Sequence, residues 1–302
     1  MLMRRIPCLL GALILLAIPL ASQEAPLKAP SNAWLVLRAF LDAYPNDISA
    51  IDYDFAAKDW YMTVRGSRLY WANGRLLRKE DAKEWESWRP YVDYLYPEEV
   101  PDPRNFSEEM IAHLNADVLQ EKRSKAPTYN IAFYDLVYDG GTRRRIESHI
   151  VRFDYLGKRV SVHESLVPRL KRIEARIRDL AREDEEVDAF VKTLASIEGY
   201  NWREIADSPS RSNHSWGIAI DFLPKNWKQK NIYWNWVSYW NENRWMLIPL
   251  DRRWMPPLAV VRAFESEGFV WGGKWLLWDN MHFEYRPELL ALRSWGHSGD
   301  IR

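Results

Sequence analysis

Two stretches in the last third of the chain decide the fold. They read SNHSWGIAID at residues 212–221 and GFVWGGKWLLWDNMHFE at residues 268–284. Both combine short apolar runs, typical of buried strands, with isolated histidines and aspartates. In the first stretch an apolar run separates His214 from Asp221. In the second, Asp279 lies three residues before His282. The pattern predicts a polar site shared by two strands.

The residue types at these positions suit a catalytic zinc site. Such a site uses three protein ligands drawn from histidine and carboxylate, and it leaves one position open for water. His214, Asp221 and His282 are therefore candidate ligands of one zinc ion. Asp279 precedes the second strand, and its carboxylate is a candidate acceptor of a proton from a zinc-activated water. Each stretch alone is also compatible with a hydrogen-bonded structural histidine and a turn-capping aspartate.

The two stretches together resemble the motifs of a known family. The first resembles S-x-H-x-x-G-x-A-x-D, and the second resembles G-G-x-W followed by D-x-x-H-F. These are motifs of the zinc peptidase family that contains D-alanyl-D-alanine carboxypeptidases and L-alanyl-D-glutamate endopeptidases. The resemblance covers roughly residues 150–302. It implies His214, Asp221 and His282 as zinc ligands and Asp279 as general base. Some branches have Glu in place of Asp279, so this chain looks more like the endopeptidase branch.

The same resemblance implies two further site residues. The family often has an arginine upstream of the first motif, where it binds a substrate carboxylate or a developing oxyanion. Arg203 matches by position, and a guanidinium forms bidentate contacts with carboxylates. Its alternative role is a surface ion pair with Glu204 or Glu198. Ser212 is a candidate either for orienting His214 or for contacting substrate.

Composition excludes several classes of protein. The chain has 302 residues, with 47% hydrophobic and 28% charged residues, which excludes wholesale disorder. Lys plus Arg and Asp plus Glu both number 42, so the net charge is zero and no nucleic-acid partner is expected. Of 17 tryptophans, 12 lie in residues 201–302. Aromatic side chains suit core packing, and they also suit clefts that bind sugars or peptides.

The N-terminus has the features of a secretory signal. Arg4 and Arg5 precede an apolar run at 8–20, which is followed by small residues. We expect residues 1–22 to be a signal peptide and residues 23–32 a linker. An uncleaved membrane anchor is the alternative, although the run is short for a bilayer span. After cleavage we expect no membrane span and a periplasmic or extracellular location. Cys8, the single cysteine, would be removed with the signal.

A polar stretch at 121–127 is the candidate boundary between two regions in the rest of the chain. We expect residues 33–125 to form a smaller mixed α/β region of unknown role, with a helix at 33–44, strands at 60–64 and 69–77, and a turn at Asn73-Gly74. The resemblance implies that residues 126–302 form the zinc peptidase domain. In it we expect a β-hairpin from 129–138 and 146–155, and helices at 166–180, 187–199 and 256–268. Hairpins and helices without βαβ alternation indicate an α+β protein, and the resemblance implies a hedgehog/DD-peptidase-like fold in the C-terminal half.

The expected function is zinc-dependent hydrolysis of peptide bonds in peptidoglycan stem peptides. D-Ala–D-Ala, L-Ala–D-Glu and other amide bonds all remain candidates, whether cut at a terminus or within a stem. The alternative is a non-catalytic zinc-containing cell-wall-binding module, since hedgehog-type relatives show that the fold can keep zinc without acting mainly as a peptidase. A third hypothesis assigns wall binding to residues 30–125. No pattern indicates an oligomeric state.

Overall fold

A computed structural model of the protein describes residues 32–92, 94–117, 123–205 and 208–296. The expected signal peptide at 1–22, and all of the expected linker except Asn32, lie outside these residues. Within the described part of the chain, no helix has both the length and the apolar character needed to cross a membrane.

The N-terminal region starts with a helix that packs next to a small sheet. The side chain of Asn32 caps the helix by accepting the backbone N–H of Trp34. Helix α1 (Ala33–Ala43) is followed by the antiparallel strands β1 (Ile48–Asp54), β2 (Asp59–Val64) and β3 (Ser67–Tyr70). The helix at 33–44 and the strand at 60–64 are confirmed. The strand expected at 69–77 ends at Tyr70, because residues 72–74 form a 3-10 turn with Asn73 at φ 53°.

The next segment differs most from the sequence-based expectation. It contains β4 (Trp88–Arg89), α2 (Glu108–Asp117), β5 (Thr128–Tyr129), α3 (Ala132–Tyr138) and α4 (Arg143–Glu147). The hairpin expected from 129–138 and 146–155 is wrong. Phe133, Tyr134, Val137 and Tyr138 follow a helical spacing, and all four are buried on one side of α3. The helix ends where Asp139 adopts a left-handed conformation.

A hairpin does form slightly later in the chain. Strands β6 (Ile150–Tyr155) and β7 (Lys158–His163) pair around Gly157, and helices α5 (Val167–Leu180) and α6 (Glu185–Thr193) follow. The helix at 166–180 is confirmed. The second helix was expected to continue to 199, but it ends at Thr193. Residues 194–198 instead form strand β8 (Leu194–Glu198), the edge of the main sheet.

The main sheet brings the two sequence stretches together. It has four antiparallel strands in the order β10–β11–β9–β8, from β8 with β9 (Ala219–Pro224), β10 (Phe269–Trp271) and β11 (His282–Tyr285). Helices α7 (Trp234–Ser238), α8 (Leu258–Glu265) and α9 (Pro287–Gly296) complete this part. Helix α8 confirms the expectation for 256–268. Helices and mainly antiparallel strands make this a mixed α and β protein.

One buried apolar cluster contains residues of both predicted regions. Phe40 of α1 contacts Phe133 of α3 edge-on, with ring centroids 5.0 Å apart. Tyr44 similarly contacts Tyr285 of β11 at 6.1 Å. The N-terminal helix therefore packs directly against elements that lie next to the two motifs. The domain boundary near residue 125 and the hedgehog/DD-peptidase-like fold stay predictions.

Candidate metal centre

Strand register places two of the predicted ligands side by side. Strands β9 and β11 pair so that His282 lies opposite Asp221. Their side chains are in contact on one face of the sheet, with His282 Nδ1 2.9 Å from Asp221 Oδ1. Both residues are more than nine-tenths buried. The two motifs therefore meet in space as the sequence predicted.

The third predicted ligand enters from a short turn before β9. His214 belongs to a 3-10 turn at Asn213–Trp216. The turn ends at Gly217, which has φ 66°, and a Cβ there would lie 2.6 Å from the backbone nitrogen of His163. Only glycine suits both the backbone angle and the space. The turn places His214 Nε2 3.2 Å from Asp221 Oδ2.

Hydrogen bonds to acceptors fix which ring nitrogen of each histidine faces Asp221. Nδ1 of His214 lies 2.7 Å from the carbonyl oxygen of Gly199, so it donates its proton there. Nε2 of His282 lies 3.1 Å from Glu284 Oε2, so it also donates. The remaining nitrogens, His214 Nε2 and His282 Nδ1, both face the carboxylate of Asp221. This outer-shell arrangement is typical of metal-binding histidines.

The donor set fits a zinc ion. Ligand atoms of His214, Asp221 and His282 all lie within 4.8 Å of one another. His214 Nε2 is buried and has no hydrogen-bond partner among the described residues, because its neighbour Asp221 Oδ2 at 3.2 Å is itself an acceptor. A buried polar atom without a partner is costly unless something else binds it. Two imidazoles and one carboxylate are ligands that zinc prefers, and three ligands leave a position for water.

Charges in the centre reinforce one another. Burial disfavours the carboxylate of Asp221, but His214 and His282 outweigh burial and hold the pKa of Asp221 well below its usual range. Burial also disfavours the charged form of His282. Hydrogen bonds to Asp221 and Glu284 outweigh it and raise the pKa of His282 well above its usual range. Asp221 and His282 are thus a tightly paired carboxylate and imidazolium, and a bound metal ion would take the place of the proton on Nδ1.

Asp279 lies three residues before β11, beside these candidate ligands. Its backbone N–H donates to Gly272 O at 3.0 Å, and its carbonyl accepts the N–H of His282 at 3.2 Å. The carboxyl oxygen Oδ1 is buried without a partner among the described residues. Burial raises the pKa of Asp279 to about 8 in the metal-free centre, with His282 opposing the rise and Asp221 adding to it. This shift favours the protonated carboxyl, and the charge of a metal ion bound beside it would favour the carboxylate that a general base requires.

The two candidate substrate-binding residues, Arg203 and Ser212, have different surroundings. Arg203 is exposed and lines the same cleft as His214 and Asp279. Its guanidinium donates only a long 3.4 Å bond to the carbonyl of Glu204. Among residues that the structure describes, it has no carboxylate within ion-pair distance, so the alternative pairing with Glu204 or Glu198 is absent there. Ser212 is buried, and its Oγ accepts the N–H of His214 at 3.4 Å. Ser212 thereby orients the turn.

A large cleft opens over the metal centre. Its volume is about 1310 Å³, and its lining includes residues from both predicted regions. Aromatic side chains form much of the wall, among them Tyr91, Tyr129, Trp227, Tyr233 and Trp236. The rings of Trp227 and Trp236 are 4.8 Å apart and are partly exposed. Part of the unusual tryptophan content thus lines the cleft, while Trp234 and Trp245 are buried in an apolar cluster.

Sequence reasoning missed three residues that position the ligands. Glu284 binds Nε2 of His282, Asn213 donates to Glu284 Oε2 at 2.6 Å, and Gly199 accepts from His214. A sequence signal existed for Glu284, because a residue two positions from His282 in a strand lies on the same face. No signal existed for Gly199, whose carbonyl reaches the site only through the fold.

Comparison with known families agrees with the motifs. Residues 206–285 match the family model described as D-alanyl-D-alanine carboxypeptidase. Residues 36–93 match the model of a domain of unknown function. No curated protein matches the chain, and no solved structure does. The match at 206–285 includes all three predicted ligands and Asp279, so the resemblance to the zinc peptidase family is confirmed. Residues 206–285, in the C-terminal half of the chain, are therefore similar to peptidases of this family.

Proposed function

We propose that the protein is a secreted zinc peptidase that hydrolyses peptide bonds in peptidoglycan stem peptides. The observation that supports this most is the convergence of His214, Asp221 and His282 beside the partly buried carboxyl of Asp279, whose Oδ1 has no partner among the described residues. A cell-wall peptidase acts outside the cytoplasm, in agreement with the signal peptide expected at 1–22.

Each residue has a chemical role in this proposal. His214 through Nε2, Asp221 through its carboxylate and His282 through Nδ1 would bind one zinc ion. When bound, zinc supplies Lewis-acid activation of water and of the substrate carbonyl. Asp279 would accept the proton of the attacking water and return it to the leaving amine. Arg203 would bind a substrate carboxylate or the oxyanion from the open side of the cleft.

The geometry favours a catalytic over a structural metal. Structural zinc sites have four protein ligands, whereas the group in the described residues has three. A structural site also has no use for the unpartnered Oδ1 of Asp279. The cleft extends well beyond the centre, which suits an extended peptide. These points argue against the non-catalytic wall-binding module.

The decisive experiment is mass spectrometry of defined muropeptides after incubation with the zinc-loaded full chain. Stem peptides that end in D-Ala–D-Ala, and stems that contain L-Ala–D-Glu, give products of different mass, so one experiment identifies the bond. Cleavage should stop with a chelator and return with added zinc. Intact peptides after incubation with protein that contains one zinc per chain would refute the proposal.

The matched variant is Asp279→Asn, which keeps the size of the side chain and removes its basicity. We expect the rate to fall by about a hundred- to ten-thousandfold, because general base catalysis contributes on that order. Zinc content should remain at one per chain. A non-catalytic module would instead show no cleavage in either protein and unchanged binding to isolated sacculi.

A further inference from the structure

A row of buried charged side chains runs from the metal centre towards the N-terminal region. Its members are Glu284, Arg286 and Glu288, every second residue after the ligand His282. Their exposed fractions are 6%, 7% and 0%, respectively. Charged residues are almost never this buried unless they are paired. Each of the three therefore requires a partner, and each has an oppositely charged or hydrogen-bonding one.

The contacts form a continuous path. Glu284 Oε2 accepts from His282 Nε2 at 3.1 Å, and Glu284 Oε1 lies 3.6 Å from Arg286 Nη1. Arg286 Nε donates to Glu288 Oε1. Glu288 Oε2 then accepts the hydroxyl proton of Tyr44 at 3.1 Å. The path therefore joins a metal ligand to helix α1.

A second contact reaches the N-terminal region by another route. Arg286 Nη2 donates to the backbone oxygen of Tyr91 at 3.1 Å. Tyr44 and Tyr91 both fall in residues 36–93, the part that matches the domain of unknown function. This part thus contacts the middle of the charged row at Arg286 and its outer end at Glu288.

The row acts on both histidines. Because an ionised carboxylate can only accept, Glu284 keeps a proton on Nε2 of His282 and leaves Nδ1 for a metal. Glu284 Oε2 also accepts from Asn213, the residue before His214. Replacing buried ion pairs by apolar residues often increases stability, so stability alone does not explain a row that ends on a ligand.

We propose that Glu284, Arg286 and Glu288 form a positioning network that fixes the ligand geometry of the metal centre, and that Tyr44 and the Tyr91 carbonyl anchor it. The inference rests on the proposed function only for the identity of the metal ligands. Residues 36–93 then contribute to the geometry of the metal centre, in addition to any separate role of their own. Arg286 orients Glu284, and Glu284 orients His282, without any of the network touching substrate.

The test measures zinc affinity of the full chain by competition with a chromogenic chelator. Glu284→Gln removes the charge at nearly constant size, and we expect the zinc dissociation constant to rise about ten- to hundredfold. Tyr44→Phe removes one hydroxyl at the far end, and we expect a smaller rise of about three- to tenfold. The visible absorption of Co²⁺ bound in place of zinc should change in Glu284→Gln, because it reports ligand geometry.

The matched control is Tyr155→Phe. Tyr155 is also fully buried, and its hydroxyl has no hydrogen-bond partner in the described part of the chain. It should leave zinc affinity and the Co²⁺ spectrum unchanged. Arg286→Lys keeps the charge but loses the planar contacts, so its affinity should fall between those of Glu284→Gln and the unaltered protein.

Two outcomes overturn the inference. One is unaltered zinc affinity and an unaltered Co²⁺ spectrum in folded Glu284→Gln. The second applies if Glu284→Gln does not fold. In that case Tyr44→Phe is the test, and a zinc affinity equal to that of Tyr155→Phe would overturn the inference. Failure of the proposed function has a different signature, namely unaltered protein that binds one zinc and leaves stem peptides intact.

Discussion

A methyl group on Gly272 would lie 2.6 Å from the backbone oxygen of Asp279 and 3.1 Å from its Cβ. Gly272 is the first glycine of the G-G-x-W motif, and its oxygen also accepts the N–H of Asp279 at 3.0 Å. The motif glycine therefore lets the 272–274 turn approach the proposed base. Glycine is required at this position of the motif because a side chain there would collide with Asp279.

We predict that Gly272→Ala lowers kcat while zinc content stays at one per chain. The added methyl has to displace Asp279, and a misplacement of about 1 Å costs on the order of a hundredfold in rate. Steady-state kinetics on the cleaved stem peptide, with elemental analysis of the same sample, measures both quantities. The control is Gly141→Ala, because a Cβ there meets nothing within 4 Å. Full kcat in Gly272→Ala would contradict the role given to this contact.

Loss of a ligand histidine should remove the metal. We predict that His214→Ala and His282→Ala each lose stoichiometric zinc, since two remaining ligands bind zinc weakly. His149→Ala is the control, because both of its ring nitrogens lie against carboxylates of Asp139 and Glu164 outside the centre. Elemental analysis of purified protein decides. Zinc retained at one per chain in either ligand variant would remove that histidine from the site.

Arg203 should affect substrate and leave the metal untouched. A charge-assisted hydrogen bond contributes about 1.5–3 kcal/mol, so we predict that Arg203→Met lowers kcat/KM by roughly ten- to hundredfold. Arg203→Lys should recover part of the loss, because it restores the charge without the bidentate geometry. Zinc content and melting temperature should not change.

The control for this variant is Arg152→Met, which removes an exposed arginine of β6. It should retain full activity. If Arg203→Met is as active as Arg152→Met, the exposed guanidinium of Arg203 has no part in binding.

The convergence of the three candidate ligands was predictable from the sequence for a physical reason. A metal site restricts residue type, spacing and strand position at once, so His214, Asp221 and His282 stood out together. The hydrogen-bonding partners of the histidines were not predictable to the same degree. Many residues can accept a proton from an imidazole, and the choice of Gly199 depends on how β8 packs. That strand was itself missed, because the apolar spacing of α6 continues into 194.

The segment at 129–138 shows where pattern reasoning failed. Alternating apolar residues suggested a strand, but Phe133, Tyr134, Val137 and Tyr138 equally fit one face of a helix. Tertiary packing decided between the two periods, because α3 buries this face against Phe40 and Trp216. The buried row from Glu284 to Glu288 was likewise not predictable from the sequence, because Tyr44, the partner of Glu288, is 244 residues away in the chain.

A buried histidine outside the metal centre should make folding sensitive to acid. Burial lowers the pKa of His163 to about 4, and the nearby charge of His149 adds to the shift. Arg65 lowers it further, while Glu164 and the backbone of Tyr138 oppose the shift. The unfolded chain, with a histidine pKa near 6.5, therefore binds more protons than the folded chain between about pH 6.5 and pH 4.

It follows that the free energy of unfolding decreases as pH falls through this window. The loss from His163 alone is about 3 kcal/mol by pH 4, at about 1.4 kcal/mol per unit of pKa difference. We predict that His163→Asn, which keeps a hydrogen-bond acceptor for the N–H of Ser165, flattens the pH dependence by this amount. Urea unfolding of both proteins at pH 7, 5 and 4 measures it. His149 has a raised pKa and an effect of opposite sign, and because it is present in both proteins only its coupling to His163 enters the comparison. Parallel pH profiles would show that folding does not lower the pKa of His163.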